Sequence, residues 1–202
     1  MKLIGLFDSP YVRRVAITMR LYGIDVEHVA LSVFRDQDEM SKVNPMLKVP
    51  MLILDNGEKL VESSFILDYL DSEVLPDKRL TPASGPMRRQ IQQQCATALL
   101  AVEKAVQIVY ETKLRPDECC HVPWVERCTA QMHTGFGLME EVPQSAALNG
   151  ASLTQADVTR AVVYRFAQYA LPKEFQPGRY PKLEALSAHC EGLPAFVQTP
   201  LE

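Results

Sequence analysis

Short apolar runs alternate with longer amphipathic stretches up to about Leu75. The runs are rich in bulky and β-branched side chains, as strands are, whereas the longer stretches repeat apolar residues with the helical period. Residues 36–43 fit either a polar helix or an irregular loop. The predicted order is β-α-β-α-β-β-α, with strands at residues 1–7, 26–31, 48–54 and 59–61 and helices at residues 12–22, 36–43 and 63–75. This order predicts an α/β domain in which helices cover a mixed sheet.

Residues typical of turns mark the ends of these elements. Gly23 suits a left-handed cap at the end of the first helix. The stretch Asp55-Asn56-Gly57-Glu58 is typical of a hairpin turn between two strands. Pro50 has no N–H to donate to a sheet, so we expect it at the first residue of its strand, a place compatible with a cis bond.

The second half of the chain contains no convincing strand. Residues 74–86 contain three prolines and a glycine, a composition typical of a linker. Thr154 and Asp157 are spaced as a capping box that opens a helix. The predicted helices cover residues 86–114, 123–141, the segment from 154 onward, 181–190 and 194–198. We therefore predict a first domain at residues 1–76, a linker at 77–85 and an all-helical domain at 86–202.

Composition and charge exclude several classes of protein. Of the 202 residues 47% are apolar and 23% are charged, which is enough apolar material for a core without metal or disulfide bonds. The formal net charge is −4 with no block of like charge, which argues against binding nucleic acid. No apolar run approaches the roughly 20 residues of a membrane-spanning helix, and the N-terminus lacks the layout of a signal peptide. The five cysteines are an odd number, so we expect reduced thiols in a cytosolic protein.

Candidate chemistry lies at the first strand-to-helix turn, Ser9-Pro10-Tyr11-Val12. Thiol-disulfide enzymes carry Cys-Pro-Tyr-Cys in such a turn, with a low-pKa thiolate at the helix N-terminus. Ser9 and Val12 replace both cysteines here, so dithiol exchange at this turn is impossible. A serine hydroxyl at a helix N-terminus can instead donate a hydrogen bond to the thiolate of a bound ligand. The simpler alternative is that Ser9 only caps the helix.

Four features together resemble the soluble glutathione transferase family, especially its bacterial serine-type members. They are SPYVRRV at residues 9–15, NPMLKVPML at 44–52, ESSFILDYL at 62–70 and the capping box. Each motif is short, but their order and spacing are specific, and the resemblance covers nearly the whole chain. It implies a thioredoxin-like glutathione-binding domain followed by an all-helical domain that supplies most of the electrophile pocket.

The resemblance also implies roles for individual residues. Ser9 would face the glutathione sulfur, and the main chain of Val49, before Pro50, would pair with the cysteinyl backbone of the tripeptide. Glu62 and Ser63 would bind its γ-glutamyl end; the alternative is a helix start with its capping serine. Lys48 is a weaker candidate for the glycyl carboxylate, because such a lysine is more often a solvated surface charge.

Other residues are weaker candidates. Tyr11, Tyr110 and Trp124 are aromatic candidates for the electrophile pocket, although each is also explained by core packing. The pairs Arg13-Arg14 and Arg88-Arg89 are interpreted as helix faces that are available for salt bridges between subunits. The thiols and imidazoles of residues 119–133 match no common zinc-site spacing, so we expect no metal site.

The expected protein is a cytosolic, homodimeric glutathione transferase that uses glutathione as co-substrate and has no cofactor. Its partners would be glutathione and a small electrophile, with no nucleic acid and no membrane. One alternative is a glutathione-dependent reductase, dehalogenase or isomerase; another is a non-catalytic protein-binding module on the same fold. The isomerase branch carries a cysteine and two serines in the first turn, whereas only Ser9 stands here, which disfavours that reaction. Mixed-disulfide chemistry is not expected, because the predicted first domain, residues 1–76, contains no cysteine.

Overall fold

The computed structural model describes residues 1–201, which divide into two compact units. The first unit comprises Met1–Gly85 together with the segment from Gly192 onward, and the second comprises Pro86–Glu191. No helix within residues 1–201 is both long and apolar enough to cross a bilayer.

The first unit has the predicted β-α-β-α-β-β-α order, with its first three strands shorter than the sequence indicated. Its elements are β1 (Lys2–Ile4), α1 (Pro10–Tyr22), β2 (Glu27–Val29), α2 (Gln37–Val43), β3 (Met51–Ile53), β4 (Lys59–Val61) and α3 (Ser63–Ser72). The doubtful segment at 36–43 is therefore helical. The bond between Val49 and Pro50 is cis, and Pro50 directly precedes β3.

The four strands form one mixed sheet in the order β2-β1-β3-β4. β1 runs parallel to β2 and antiparallel to β3, and β3 runs antiparallel to β4. Ile4 lies opposite Val29 on one side and Met51 on the other, and Met51 lies opposite Val61. β1 and β4 consequently run in the same direction, and the helices that follow them start at the same edge of the sheet.

Alternate strand residues pack on opposite faces of the sheet, as the two-residue period of a strand requires. Leu3 and Leu52 belong to the larger core, which also contains buried apolar residues of α1 and α3. Ile4 and Met51 pack on the other face against Met40 of α2. The mixed sheet is thus covered on both faces, as predicted.

The second unit is helical throughout its described length, in agreement with the sequence analysis. Its helices are α4 (Gly85–Val109), which continues into a π-helical turn (Tyr110–Leu114), α5 (Val122–Glu141), α6 (Gln155–Ala170) and α7 (Pro181–Glu191). α6 packs against α7 and is buried on nearly all sides. The predicted capping box is present: Thr154 Oγ1 accepts the N–H of Asp157 at 3.3 Å, and Asp157 Oδ2 accepts the N–H of Thr154 at 2.9 Å.

The C-terminal helix α8 (Pro194–Val197) packs against α1 in the first unit. This division differs from the predicted boundaries, which assigned residues 86–202 to one helical domain. Arg13 Nε donates to the carbonyl oxygen of Thr199 at 2.8 Å, and its guanidinium lies 5.8 Å from the ring centre of Phe196. The interpretation of Arg13-Arg14 as an exposed helix face is wrong, because the two side chains are only 1% and 2% exposed.

Candidate active site

The topology brings three separate segments to one edge of the sheet. Ile4, Met51 and Val61 are aligned across neighbouring strands. The chain continues from Ile4 toward Ser9, enters β3 through Val49-Pro50, and leaves β4 at Glu62-Ser63. The first turn of α1, the segment before β3 and the first turn of α3 therefore lie at the same edge. Every residue that the resemblance assigned to glutathione belongs to one of these segments.

Gly5 shows how closely two of these segments approach each other. A Cβ atom built on Gly5 would lie 2.6 Å from Cγ2 of Val12 and 2.9 Å from Cβ of Val49. Gly5 also has a φ of 125°, which side chains rarely permit. Only glycine fits at this position, and its backbone lies between the start of α1 and the residue before Pro50.

Ser9 is the N-cap of α1, as the simpler reading of this residue predicted. Its Oγ accepts the N–H of Val12 at 3.4 Å, and its own N–H donates to the carbonyl oxygen of Leu6 at 3.2 Å. Among residues 1–201 the Ser9 hydroxyl donates to no acceptor. The side chain is half-buried. Capping uses only the oxygen as acceptor, so the hydroxyl can still donate to a ligand beside the positive end of the helix dipole.

The segment before β3 presents main-chain groups. Asn44 Nδ2 donates to the carbonyl oxygen of Lys48 at 2.8 Å and fixes the peptide that precedes Val49. The N–H and C=O of Val49 make no hydrogen bond to the part of the chain that the structure describes. An extended peptide can pair with such groups by strand addition. The Lys48 side chain is exposed beside them.

At the start of α3 the cap differs from the sequence-based alternative. Glu62, rather than a serine, is the N-cap: its carboxylate accepts the N–H of Ser64 at 3.0 Å and lies 3.3 Å from Oγ of Ser63. Glu62 has a φ of 70°, a conformation that costs free energy in a residue with a side chain. A carboxylate acceptor therefore already occupies the N-terminus of α3, where the γ-glutamyl carboxylate is expected.

The aromatic candidates fall in both units. Tyr11 lies in the first turn of α1 and is half-buried. Tyr110 and Trp124 belong to the second unit, at the π-helical turn and in the first turn of α5, and are 39% and 38% exposed. Partial exposure shows that none of the three is a fully buried core residue.

The cysteines supply neither a metal centre nor a thiolate at this edge. None of the five forms a disulfide bond, and no group of three or more potential ligands in residues 1–201 is arranged to hold a metal ion. His133 instead lies 2.8 Å from the Tyr180 hydroxyl and 2.9 Å from the Glu174 carboxylate. Burial raises the pKa of the Cys190 thiol to about 12, which keeps it neutral.

One neighbour of this edge, His28, was not predicted. Its ring contacts the turn that leads into Ser9. A single histidine in a short strand carries no motif, so no local signal distinguishes it.

Known proteins of similar sequence include glutathione S-transferases and maleylacetoacetate isomerases. The family described as "Glutathione S-transferase, N-terminal domain" matches residues 3–75. A maleylacetoacetate isomerase of Rattus norvegicus is 29% identical over 201 residues, covering 96% of this chain and 89% of that protein. A zeta-class glutathione S-transferase of Euphorbia esula is 31% identical over 156 residues, covering 73% of this chain and 65% of that protein.

Solved structures show the same fold over the whole chain. A glutathione transferase family member from Pseudomonas fluorescens, solved with bound glutathione, has a TM-score of 0.88 and 25% identity and covers 100% of this chain and 98% of its own. A ternary complex of BphK, a bacterial glutathione transferase, has a TM-score of 0.80 and 25% identity, with 98% and 97% covered.

The chain has a thioredoxin-like unit followed by an all-helical unit. One sheet edge of the first unit carries a hydroxyl, available main-chain groups and a helix N-terminus. This combination defines a protein of the glutathione-transferase type. The chain belongs to the glutathione S-transferase family, a family of enzymes.

Proposed function

We propose that this chain binds glutathione at the sheet edge of its first unit and conjugates the glutathione thiolate to small hydrophobic electrophiles. The observation that carries the proposal is the convergence of Ser9, Val49 and Ser63 at one edge, each with a group suited to a different part of the tripeptide.

Binding would use all three segments. The N–H and C=O of Val49 pair with the cysteinyl residue of glutathione, as in a short added strand. The γ-glutamyl carboxylate binds at the N-terminus of α3, where it takes the place of Glu62 as acceptor for Ser63 Oγ. Glu62 is then free to attract the ammonium group. Lys48 lies close to Val49 along the chain and supplies positive charge for the glycyl carboxylate.

Activation would rest on Ser9. Its hydroxyl donates to the sulfur, and the N-terminus of α1 adds a favourable partial positive charge, so the thiol loses its proton to solvent more easily. The thiolate attacks an electrophilic carbon and forms a C–S bond. In a substitution the leaving group departs with the bond electrons, and in an addition the carbanion takes a proton from water. Electrostatic stabilisation of the anion is therefore the main catalytic effect.

The test compares Ser9→Ala with Ser41→Ala, an exposed serine of α2. Thiolate absorbance of bound glutathione gives the pKa of its thiol, and turnover of a chlorinated dinitroaromatic gives kcat/KM. Ser9→Ala should raise that pKa by about one unit, equal to roughly 1.4 kcal/mol, and lower kcat/KM by about tenfold, while Ser41→Ala changes neither. An unchanged pKa in Ser9→Ala would refute the role of this hydroxyl.

An isomerase reaction is the second candidate, because relatives from Rattus norvegicus and Mus musculus are named maleylacetoacetate isomerase. A first turn with Ser9 as its only serine and no cysteine still disfavours it. Assaying conjugation and cis–trans isomerisation side by side separates the two reactions. Retention on glutathione resin without either activity would support the non-catalytic module instead.

We also propose a cytosolic homodimer. Phe65, in the first turn of α3, is 73% exposed, and Met46 of the same unit is 62% exposed. Contiguous exposed apolar surface marks sites where another protein binds, and we expect a second copy of the chain to cover Phe65 and Met46. Light scattering should give a dimer mass for the wild type and a monomer mass for Phe65→Glu. The absence of disulfide bonds among the five cysteines suits a reducing compartment.

A further inference from the structure

His28 is attached to the turn that precedes Ser9. It lies in β2, opposite Leu3 of β1. Its Nε2 is 2.7 Å from the carbonyl oxygen of Gly5, and its ring is stacked on Phe7 with centroids 4.0 Å apart and planes within 7°. A carbonyl oxygen only accepts hydrogen bonds, so Nε2 carries the hydrogen and donates it. One side chain therefore contacts two of the four residues that lead from β1 to Ser9.

Gly5 is the residue of this turn that most needs a fixed partner. Glycine lacks the Cβ that restricts backbone rotation in other residues, so its peptide planes can rotate at low steric cost. The N–H of Gly5 is held by the carbonyl oxygen of Val29 at 3.1 Å, and its carbonyl is held by His28. Because Gly5 packs against Val12 in the first turn of α1, a shift of its backbone would move the start of that helix, where Ser9 is the N-cap.

We propose that His28 is a positioning residue for thiol activation. By holding the carbonyl of Gly5 and the ring of Phe7, it keeps the Ser9 hydroxyl where that hydroxyl meets the glutathione sulfur. His28 acts through the turn and does not touch the substrate. This inference rests on the proposed function, because it assumes that Ser9 donates to the thiolate.

Two substitutions separate the hydrogen bond from the ring contact. His28→Phe keeps an aromatic ring against Phe7 but leaves the Gly5 carbonyl without its donor. His28→Gln places an amide N–H near the position of Nε2 but lacks the ring. With purified full-length protein and reduced glutathione, His28→Phe should raise the pKa of the bound thiol and lower kcat/KM about 3- to 10-fold, the effect of losing one ordinary hydrogen bond. His28→Gln should restore most of both quantities.

The dissociation constant of glutathione separates positioning from a loss of structure. It should change by less than about threefold in His28→Phe, because a lost hydrogen bond outside the ligand contacts has a small effect on binding. His189→Phe, an exposed histidine on α7, is the matched control and should match the wild type. An unchanged thiol pKa in His28→Phe, or an equal loss in His28→Gln, would overturn the inference. A wild type that binds no glutathione, or leaves its thiol pKa at the solution value, would overturn the proposed function and this inference with it.

Discussion

The hydroxyl of Tyr22 donates a hydrogen bond to the buried carboxylate of Asp71. Tyr22 is the last residue of α1, and Asp71 lies near the end of α3. The same hydroxyl accepts the N–H of Leu80 at 2.8 Å. The segment predicted as a linker at residues 77–85 is thereby attached to both helices and belongs to the first compact unit.

Removing the Tyr22 hydroxyl should therefore destabilise the first unit. Tyr22→Phe deletes one donor and one acceptor and leaves the Leu80 N–H without its partner. We expect a loss of about 1–3 kcal/mol in the free energy of unfolding, measured with urea. Tyr169→Phe removes an exposed hydroxyl from α6 and should change stability by less than about 0.5 kcal/mol. Equal losses of stability in the two variants would contradict the role of the Tyr22 hydroxyl in attaching residues 77–85 to α1 and α3.

Asp71 should also make stability depend on pH. Burial raises the pKa of its carboxyl above the ordinary 3.8, and hydrogen bonds from Tyr22 and Thr81 partly offset this increase. The folded state then binds this proton more tightly than the unfolded state does. The contribution of the group is complete below pH 3.8 and is lost as the pH rises through the raised pKa.

The test is a series of urea titrations at increasing pH on the wild type and Asp71→Asn. As the pH rises from 3.8 through the raised pKa of Asp71, the free energy of unfolding of the wild type should fall relative to that of the variant. At higher pH the difference should become constant. A difference that rises with pH would show that the carboxylate, rather than the protonated acid, is favoured by folding.

Arg13 should attach the C-terminal segment to the first unit. Arg13→Ala removes the donor to the Thr199 carbonyl and the contact with Phe196, and leaves a cavity where a buried side chain stood. We expect a loss of about 2–4 kcal/mol in unfolding free energy, together with faster proteolysis after Gly192. Arg165→Ala, at an exposed position of α6, is the control and should have almost no effect on either measurement.

Replacing two glycines of α5 by alanine should change the stability of the protein in opposite directions. A Cβ atom on Gly135 would lie 2.6 Å from Cβ of Ala101, so Gly135→Ala overpacks the approach of α5 to α4 and should cost about 1–3 kcal/mol. A Cβ atom on Gly137 meets no atom within 4 Å. Gly137→Ala should therefore stabilise the protein by up to about 1 kcal/mol through helix propensity. Thermal unfolding of the pair checks both signs in one experiment.

The capping box of α6 should contribute to stability rather than catalysis. Thr154→Ala removes the side-chain acceptor for the Asp157 N–H and should cost about 0.5–2 kcal/mol while kcat/KM stays unchanged. Ser145→Ala, at the start of a short 3₁₀ turn, removes a similar acceptor where little structure depends on it. Ser145→Ala should therefore lower the free energy of unfolding by less than Thr154→Ala does. A fall in kcat/KM of folded Thr154→Ala would contradict a purely structural role.

Features encoded within a few residues were predictable. The order of strands and helices, the hairpin turn, the Gly23 cap and the capping box were all predicted, because each depends on local periodicity or on a side chain bonding to a nearby main chain. Pro50 was likewise placed at the start of its strand by its missing N–H. The predicted ends of the strands were less accurate, because a strand ends where its neighbour stops pairing with it.

Contacts between distant parts of the sequence were not predictable. Arg13 was expected on a surface, yet α8 covers it, and the partner is 186 positions away. Glu62 rather than Ser63 caps α3, because the capping group depends on the backbone conformation at the end of β4. His28 carries no sequence signal, and only the pairing of β2 with β1 brings its ring to Gly5 and Phe7.

The sequence by itself thus determined the local elements and the division into a mixed and a helical half, and the family resemblance supplied the candidate residues Ser9, Val49, Glu62 and Ser63. The tertiary structure alone decided that Ser9, Val49 and Ser63 share one sheet edge, that Arg13 is buried and that His28 holds the turn. The physical reason is range: periodicity and capping act over a few residues, whereas strand direction, register and burial depend on which remote segments pack together.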